Sequence, residues 1–283
     1  YAVEYLINAM KDIQPTYKLG GVDIIADADD RLNPLMERRE HPEKWFFTTG
    51  FQELDDLIHG INRKGELLVI LARINQGKSW VLEKITTHIW QIGYNVGYIS
   101  PEMTTDSIGY RFDTLYANYS NNGLAWSKDD VDAEQYKKYI EELKTKDNKF
   151  VVSRPEDFNR AITVTKLRNW IKQNKIDLLA IDGIKYLTDE RAKRNDNKAD
   201  KGAHLSEDLL ALSLELEVPI CIVAQANRSG VVEKGSNNTP GLENIGESDG
   251  IGQVATKVLS MHQKEYGVLV INVEKNRDGI VGG

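Results

Sequence analysis

The feature that most constrains this chain is the stretch Leu71-Ala72-Arg73-Ile74-Asn75-Gln76-Gly77-Lys78-Ser79, where an apolar run gives way to a polar loop and then to helical periodicity. A strand that ends in such a loop and re-enters as a helix is the setting of a phosphate-binding loop. Backbone N–H groups and the helix N-terminus converge there on phosphate oxygens. Lys78 is expected to reach the β- and γ-phosphates of a nucleoside triphosphate, and Ser79 to ligate magnesium. Gly77 lets the backbone approach the phosphates with no Cβ in the way. Ala72, Arg73, Asn75, Gln76 and Trp80 complete the expected nucleotide-binding set, with Ala72 standing where the general pattern carries glycine. Gly-Lys-Ser alone occurs in many loops; here strand, loop and helix fall in register.

The pattern on either side is that of an α/β fold. Apolar runs at 66–72, 96–100, 150–153, 176–181, 219–224, 257–261 and 268–273 alternate with helical stretches at 78–92, 104–118, 131–145, 163–174 and 204–217. Such alternation predicts a mostly parallel, twisted sheet with helices on both faces. No helix separates the last two strands, which are expected to form an antiparallel edge. Two polar loops, 189–203 and 226–250, leave the carboxyl ends of strands, where open α/β sheets place their sites. Before residue 46 the chain reads differently. Val3, Leu6, Ile7 and Met10 fall on one helical face within 1–13, and 14–45 is a linker with one short helix. A short amphipathic helix is marginal alone and needs a partner surface, so residues 1–45 are expected to be a linker region whose helix docks on a neighbouring subunit, and 46–283 to form one domain.

The run Ile176-Asp177-Leu178-Leu179-Ala180-Ile181-Asp182 is an apolar strand ending in an acid about a hundred residues beyond the phosphate loop. Asp182 is expected to hold the metal beside Ser79. After the strand at 96–100 comes Pro101-Glu102-Met103. Glu102 sits where a carboxylate can orient attacking water. By position alone it is equally a helix N-terminal acid favoured by the dipole.

Composition narrows the setting. The 283 residues are 41% hydrophobic and 28% charged, ordinary for a soluble globular protein, and no apolar run approaches the length of a membrane span. Cys221 is the single cysteine, which excludes an internal disulfide framework and reads as a small core side chain in a reducing setting. A net charge of −7 argues against a surface coated in duplex DNA, so any nucleic acid must meet a local surface. The chain starts at Tyr1, and an upstream segment is expected.

With these motifs in place, the chain from Phe46 to Gly283 resembles the C-terminal RecA-like domain of the DnaB-type replicative helicases. Thr48-Thr49-Gly50-Phe51, Leu54-Asp55 and Gly60 look like that family's entry to the first strand. Ala72-Arg73 followed by Gly77-Lys78-Ser79 is similar to its phosphate loop, which also carries alanine at the first position. Ser100-Pro101-Glu102-Met103 looks like its Ser-Leu-Glu-Met, and Ile181-Asp182 matches its metal-binding strand end. Gln225-Ala226-Asn227-Arg228 resembles Gln-Leu-Asn-Arg, and Lys275-Asn276-Arg277-Asp278-Gly279 resembles Lys-Gln-Arg-Asn-Gly. Glu247-Ser248 with Ile251 and Gln253 resembles the segment bordering the strand-binding loop.

The resemblance implies a RecA-like phosphate-loop nucleoside triphosphatase core using ATP and Mg2+. It makes Glu102 the catalytic base and Gln225 a sensor of the γ-phosphate, and it places Lys275 and Arg277 in a neighbouring subunit's site. It further implies a ring, most simply a homo-hexamer, translocating 5′-to-3′ on single-stranded DNA in a bacterial or phage-infected cytoplasm. Primase and a helicase loader would be partners. A phage-encoded member fits the divergence: Gly246 replaces an arginine, Asp249 a glycine and Ile74 a proline. The family's N-terminal primase-interacting domain has no counterpart in this sequence. The expected DNA contacts are Asn244, Gly246, Glu247, Ser248 and Gly250, joined by Lys193 and Arg194.

The basic cluster Lys193, Arg194, Lys198 and Lys201 reads equally as a phosphate contact or a solvated loop, since Asp196 and Asp200 interleave with it. The five tryptophans, Trp80 and Trp90 included, default to core packing. His59, His88, His204 and His262 show no zinc spacing. Two rival functions remain: a strand-exchange recombinase, and a nucleotide-gated ring that assembles without unwinding.

Overall fold

The computed structural model describes residue 21 and residues 23–127, 130–193, 196–226, 249–265 and 267–282. The expected helix at 1–13 lies outside them, as does nearly all of the 226–250 loop. The chain divides into two units, Tyr1–Pro42 and Glu43–Gly283. Within the first, a 3₁₀ turn at Ala28–Arg31 leads into α1 (Leu32–Glu40), whose apolar residues Leu32, Leu35 and Met36 are all exposed.

The second unit opens with β1 (Phe46–Phe47), α2 (Gln52–Ile58) and β2 (Ile61–Asn62), with the two short strands paired antiparallel. Here Thr48-Thr49-Gly50-Phe51 and Leu54-Asp55 form one knot. The buried Thr49 N–H donates to Asp55 Oδ1 at 2.7 Å, and the Phe51 N–H donates to Thr49 Oγ1 at 3.2 Å. Gly60, at φ +79°, closes the turn where a Cβ would come within 2.5 Å of the Phe47 carbonyl oxygen. This part of the family signature is therefore structural.

The remaining elements are β3 (Leu67–Ala72), α3 (Lys78–Gln91), β4 (Val96–Ile99), α4 (Thr105–Ala117), α5 (Asn121–Trp126), α6 (Ala133–Leu143) and β5 (Phe150–Ser153). They continue as α7 (Val164–Asn174), β6 (Leu178–Ile181), α8 (Lys198–Leu216), β7 (Ile220–Gln225), α9 (Asp249–Val254), β8 (Lys257–Glu265) and β9 (Val268–Asn276). Seven strands form a sheet in the order β5-β4-β6-β7-β3-β8-β9, parallel except for the final β8–β9 pair. Every strand expected from sequence is present, with the expected antiparallel edge.

The central strand explains why its sequence is uniformly apolar. Leu67, Val69 and Leu71 pack on the α7 and α8 side with Leu167, Leu209 and Leu212. Leu68, Ile70 and Ala72 pack on the opposite side with Leu82, Ile85 and Ile89 of α3. Both faces are dry, so β-branched and leucine side chains alternate inward on each. At the amino ends of the strands, Lys257 Nζ lies 3.0 Å from Glu66 Oε1 and donates to the Gly60 carbonyl at 2.7 Å. Burial raises the pKa of Glu66, and the adjacent ammonium opposes that shift.

The differences from expectation are local. α8 begins at Lys198 rather than 204, because Asn197 and Asp200 form a capping box that extends the helix backwards. Lys198 and Lys201 thus belong to a helix, not to a loop. The short helices α2, α5 and α9 carry too few turns to show periodicity. Among the tryptophans, Trp90 is buried against Phe112 and Tyr116, but Trp126 is 73% exposed, contrary to the core expectation. His204 Nδ1 meets Asp189 Oδ2 at 3.0 Å, and the two cluster with Asp196, a grouping that sequence spacing did not show. Among the described residues, no helix is long and apolar enough to cross a membrane.

Candidate functional site

Strand order decides which loops meet. β4 and β6 are neighbours with Ile99 opposite Ile181, and β7 and β3 are neighbours with Ala72 opposite Gln225. The segments leaving these four carboxyl ends therefore share one rim. Glu102 follows β4, Asp182 follows β6, Gln225 ends β7, and the phosphate loop leaves β3. Between them is a cleft of about 810 Å³, within the range of small-molecule sites.

The loop conformation is fixed by two left-handed residues, Asn75 at φ +59° and Gly77 at φ +82°. A Cβ at Gly77 would meet nothing closer than the Met261 methyl at 4.0 Å, so glycine here serves backbone conformation rather than clearance within the protein. Lys78 opens α3, and its ammonium folds back to donate to the Arg73 carbonyl at 2.7 Å. Burial lowers the Lys78 pKa, with Asp182 and Glu102 opposing the shift. Across the cleft burial raises the Asp182 pKa, against hydrogen bonds from the Ser79 and Tyr98 hydroxyls. Glu102 is lowered, first by the hydrogen bond that the Tyr186 hydroxyl donates to it and further by Lys185, whose Nζ lies 3.2 Å away.

The expected residues divide. Asn75, Gly77, Lys78, Ser79 and Trp80 line the cleft, as do Glu102, Asp182 and Gln225. Ala72 does not: its side chain is fully buried at the end of β3, while its carbonyl accepts the Ala226 N–H at 3.1 Å. Arg73 contributes its carbonyl to Lys78, and Gln76 Oε1 accepts the Gln263 N–H at 2.7 Å. Neither side chain lines the cleft. Lys275 and Arg277 are also outside it. Lys275 Nζ donates to the Gly252 and Gln253 carbonyls at 2.9 and 2.6 Å, and an Arg277 N–H donates to the Val254 carbonyl at 3.0 Å. Two cations thus gather on the carboxyl end of α9, as the helix dipole favours.

Of the expected DNA contacts, Arg194, Asn244, Gly246, Glu247 and Ser248 lie outside the described residues. Lys193 is exposed, and its N–H donates to Asp196 Oδ2 at 2.7 Å. Gly250 sits in α9 where a Cβ would come within 2.4 Å of the Ala203 Cβ. Helix packing against Ala203 thus requires a glycine at this position.

Sequence reasoning missed several groups at the cleft. Arg111 reaches it from α4, with its guanidinium 4.7 Å over the Trp80 ring and 3.4 Å from Glu83 Oε1. Trp80 therefore faces the site, not the core. Glu83, one turn along α3, is buried, and its pKa is pushed up to about 8. Its Oε2 makes no hydrogen bond among the described residues. Nothing local in sequence pairs residues 83 and 111. Lys185 and Tyr186 carried a readable signal, since they follow Asp182 directly on a segment already assigned to the site.

Residues 47–283 match the family model described as the DnaB-like helicase C terminal domain. A probable plasmid replicative DNA helicase of Chlamydia trachomatis is 27% identical over 239 residues, covering 83% of this chain and 51% of that protein. The replicative DNA helicase DnaB of Geobacillus stearothermophilus is 25% identical over 270 residues, covering 92% of this chain and 58% of that protein. The chain thus spans between half and three-fifths of these relatives' length. Among solved structures, one described as an ATPase domain superposes with a TM-score of 0.75 at 21% identity, covering 93% of this chain and 94% of that one. A DnaB-like replicative helicase, whose structure was described together with its interactions with primase, gives 0.73 at 20% identity over 100% of this chain and 68% of that one. These two likenesses show the RecA-like fold.

Proposed function

The chain belongs to the DnaB-like helicase C-terminal domain family, and from that premise we propose that it is an ATP-driven motor that translocates 5′-to-3′ on single-stranded DNA and unwinds duplex as a ring, most simply a hexamer. The observation that carries the reading is the convergence of Lys78, Ser79, Glu102, Asp182 and Gln225 on one cleft. Family membership sets aside the strand-exchange recombinase.

In this reading the loop amides from Asn75 to Ser79 and the Lys78 ammonium hold the β- and γ-phosphates. Glu102 orients a water for in-line attack on the γ-phosphorus and takes up its proton as the bond to the β,γ-bridging oxygen breaks and ADP leaves. Gln225, at the root of the 226–250 loop, faces the γ-phosphate and relays its loss. The Ser79 hydroxyl and the Asp182 carboxylate, joined by a hydrogen bond, are adjacent hard oxygen donors, and burial leaves the Asp182 charge in want of a cation. They fit Mg2+. Held there, the ion would supply charge neutralisation for the phosphate. Lys275 and Arg277, outside their own cleft, are assigned to the neighbour's γ-phosphate, and single-stranded DNA to the 226–250 loops. Primase and a loader are proposed partners of the longer protein.

The test separates binding from chemistry. Lys78→Ala is expected to weaken nucleotide binding and abolish hydrolysis. Glu102→Gln is expected to bind a fluorescent nucleotide normally and to lose turnover by on the order of a thousandfold. Near-normal turnover in Glu102→Gln would move the base elsewhere.

A further inference from the structure

We infer that Tyr186 and Lys185 are positioning residues that latch the Glu102 carboxylate and hold back its action as a base. The inference rests on the reading of Glu102 as that base.

The geometry is specific. Tyr186 Oη donates to Glu102 Oε1, and Lys185 Nζ lies 3.2 Å from the same oxygen. Lys185 Nζ also sits 4.7 Å over the Tyr186 ring, so the phenol and the ammonium hold each other as well as the carboxylate. All three come from segments leaving the adjacent strands β4 and β6, and this juxtaposition follows from the Ile99–Ile181 register.

Stability does not account for the cluster. The Glu102 and Lys185 side chains are 57% and 55% exposed, a setting in which an ion pair contributes little to folding. Chemistry does. A general base must present a free lone pair to water. An O–H and an N–H⁺ on Oε1 take up that oxygen's lone pairs, fix the direction in which Oε2 points and lower the basicity of the whole carboxylate.

The cleft also offers a way for the latch to loosen. Lys185 lines it together with Lys78. A γ-phosphate held by Lys78 presents more negative charge than a single carboxylate, and it competes for the Lys185 ammonium at short range. When Lys185 moves to the phosphate, Glu102 keeps the phenol's hydrogen bond, and that bond sets how readily the carboxylate turns toward water. The phenol therefore slows turnover in the filled site, and its removal is read in kcat.

The experiment measures steady-state ATP hydrolysis by the full chain without DNA. Tyr186→Phe keeps the ring and removes the donor. It is expected to raise kcat about tenfold, the factor for losing one hydrogen bond to an ionised group, with KM within about twofold of wild type on the same basis. Lys185→Gln, an exposed change that leaves the fold intact, is expected to raise kcat less and to raise KM, because it also loses the phosphate contact. The double variant Tyr186→Phe/Glu102→Gln is expected to be inactive, which routes the gain through Glu102. A Tyr186→Phe kcat at or below wild type, with Glu102→Gln inactive, overturns the latch and leaves the base reading standing. Turnover persisting in Glu102→Gln overturns both.

Discussion

The two ends of the central sheet carry charge in opposite ways. At the amino ends, Glu66 and Lys257 are paired out of water, with side chains 4% and 7% exposed, and the Asn62 N–H and the Gly60 carbonyl take up further hydrogen-bonding capacity. At the carboxyl ends, Lys78, Glu102, Asp182 and Lys185 face a cleft. Burial there works against the charges on Lys78 and Asp182, and among the described residues neither has the close ion-pair partner that Glu66 has. A closed pair holds strands in place; an unfinished set is ready to take a ligand's charge. Charged residues near strand ends are thus not alike, and what separates them is whether their partners lie inside the protein.

That contrast is most sharply tested by breaking each end. Arg277→Ala, assigned to the neighbour's site, is expected to lower ATP turnover about a thousandfold or more. Mixing it with Lys78→Ala subunits is expected to restore part of the activity, measured as ATPase against mixing ratio. Full activity from a dilute, demonstrably monomeric sample would refute assignment to the neighbour. At the other end, Lys257→Met leaves the Glu66 charge buried without its partner. A loss of roughly 3–5 kcal/mol in urea unfolding is expected, with nucleotide binding by the folded fraction unchanged. A small loss there would mean that the pair is not a closed structural unit.

Glu83 lies between these extremes, buried like Glu66 but beside the cleft. Its folded pKa, about 8, stands above its ordinary 4.5. The folded chain therefore keeps a proton that the unfolded chain gives up near 4.5, and the unfolded state binds fewer protons across that window. Stability is expected to fall as pH rises from about 4.5 to about 8, and to gain no further penalty from this group above it. Glu83→Gln should flatten that part of a Tm-against-pH curve; an unchanged slope would place the titration elsewhere. The smallest effect is expected at Lys64–Glu217, an exposed pair at 2.8 Å. Lys64→Ala should change stability by less than about 1 kcal/mol, and by less still in high salt.

Much of the site could be read in one dimension. The phosphate loop and the acid after β6 were recognisable because each joins a strand pattern to a particular residue at its carboxyl end, whereas Glu102 stood even with a helix N-terminal acid until the family resemblance singled it out. Glu83 and Arg111 were not, because their pairing depends on α3 and α4 lying side by side across 28 residues of chain. Motif position put Ala72 in the nucleotide-binding set, and left Trp80 divided between site and core. The fold decides both: a strand-terminal side chain alternates into the core on one face, whereas the first turn of α3 turns Trp80 toward the cleft.

The sequence by itself determined the seven strands, their alternation with helices, the parallel sheet with an antiparallel edge, and the family. These follow from apolar periodicity and from short motifs, which act over a few residues. Only the tertiary structure decided the strand order β5-β4-β6-β7-β3-β8-β9, and with it which strand ends are neighbours. Because β4 lies beside β6, Glu102 meets Lys185 and Tyr186. Because β8 lies beside β3, Lys257 meets Glu66. Local sequence fixes what each strand carries to its end; contacts between residues about 80 to 190 positions apart depend on how the whole sheet closes its hydrophobic faces.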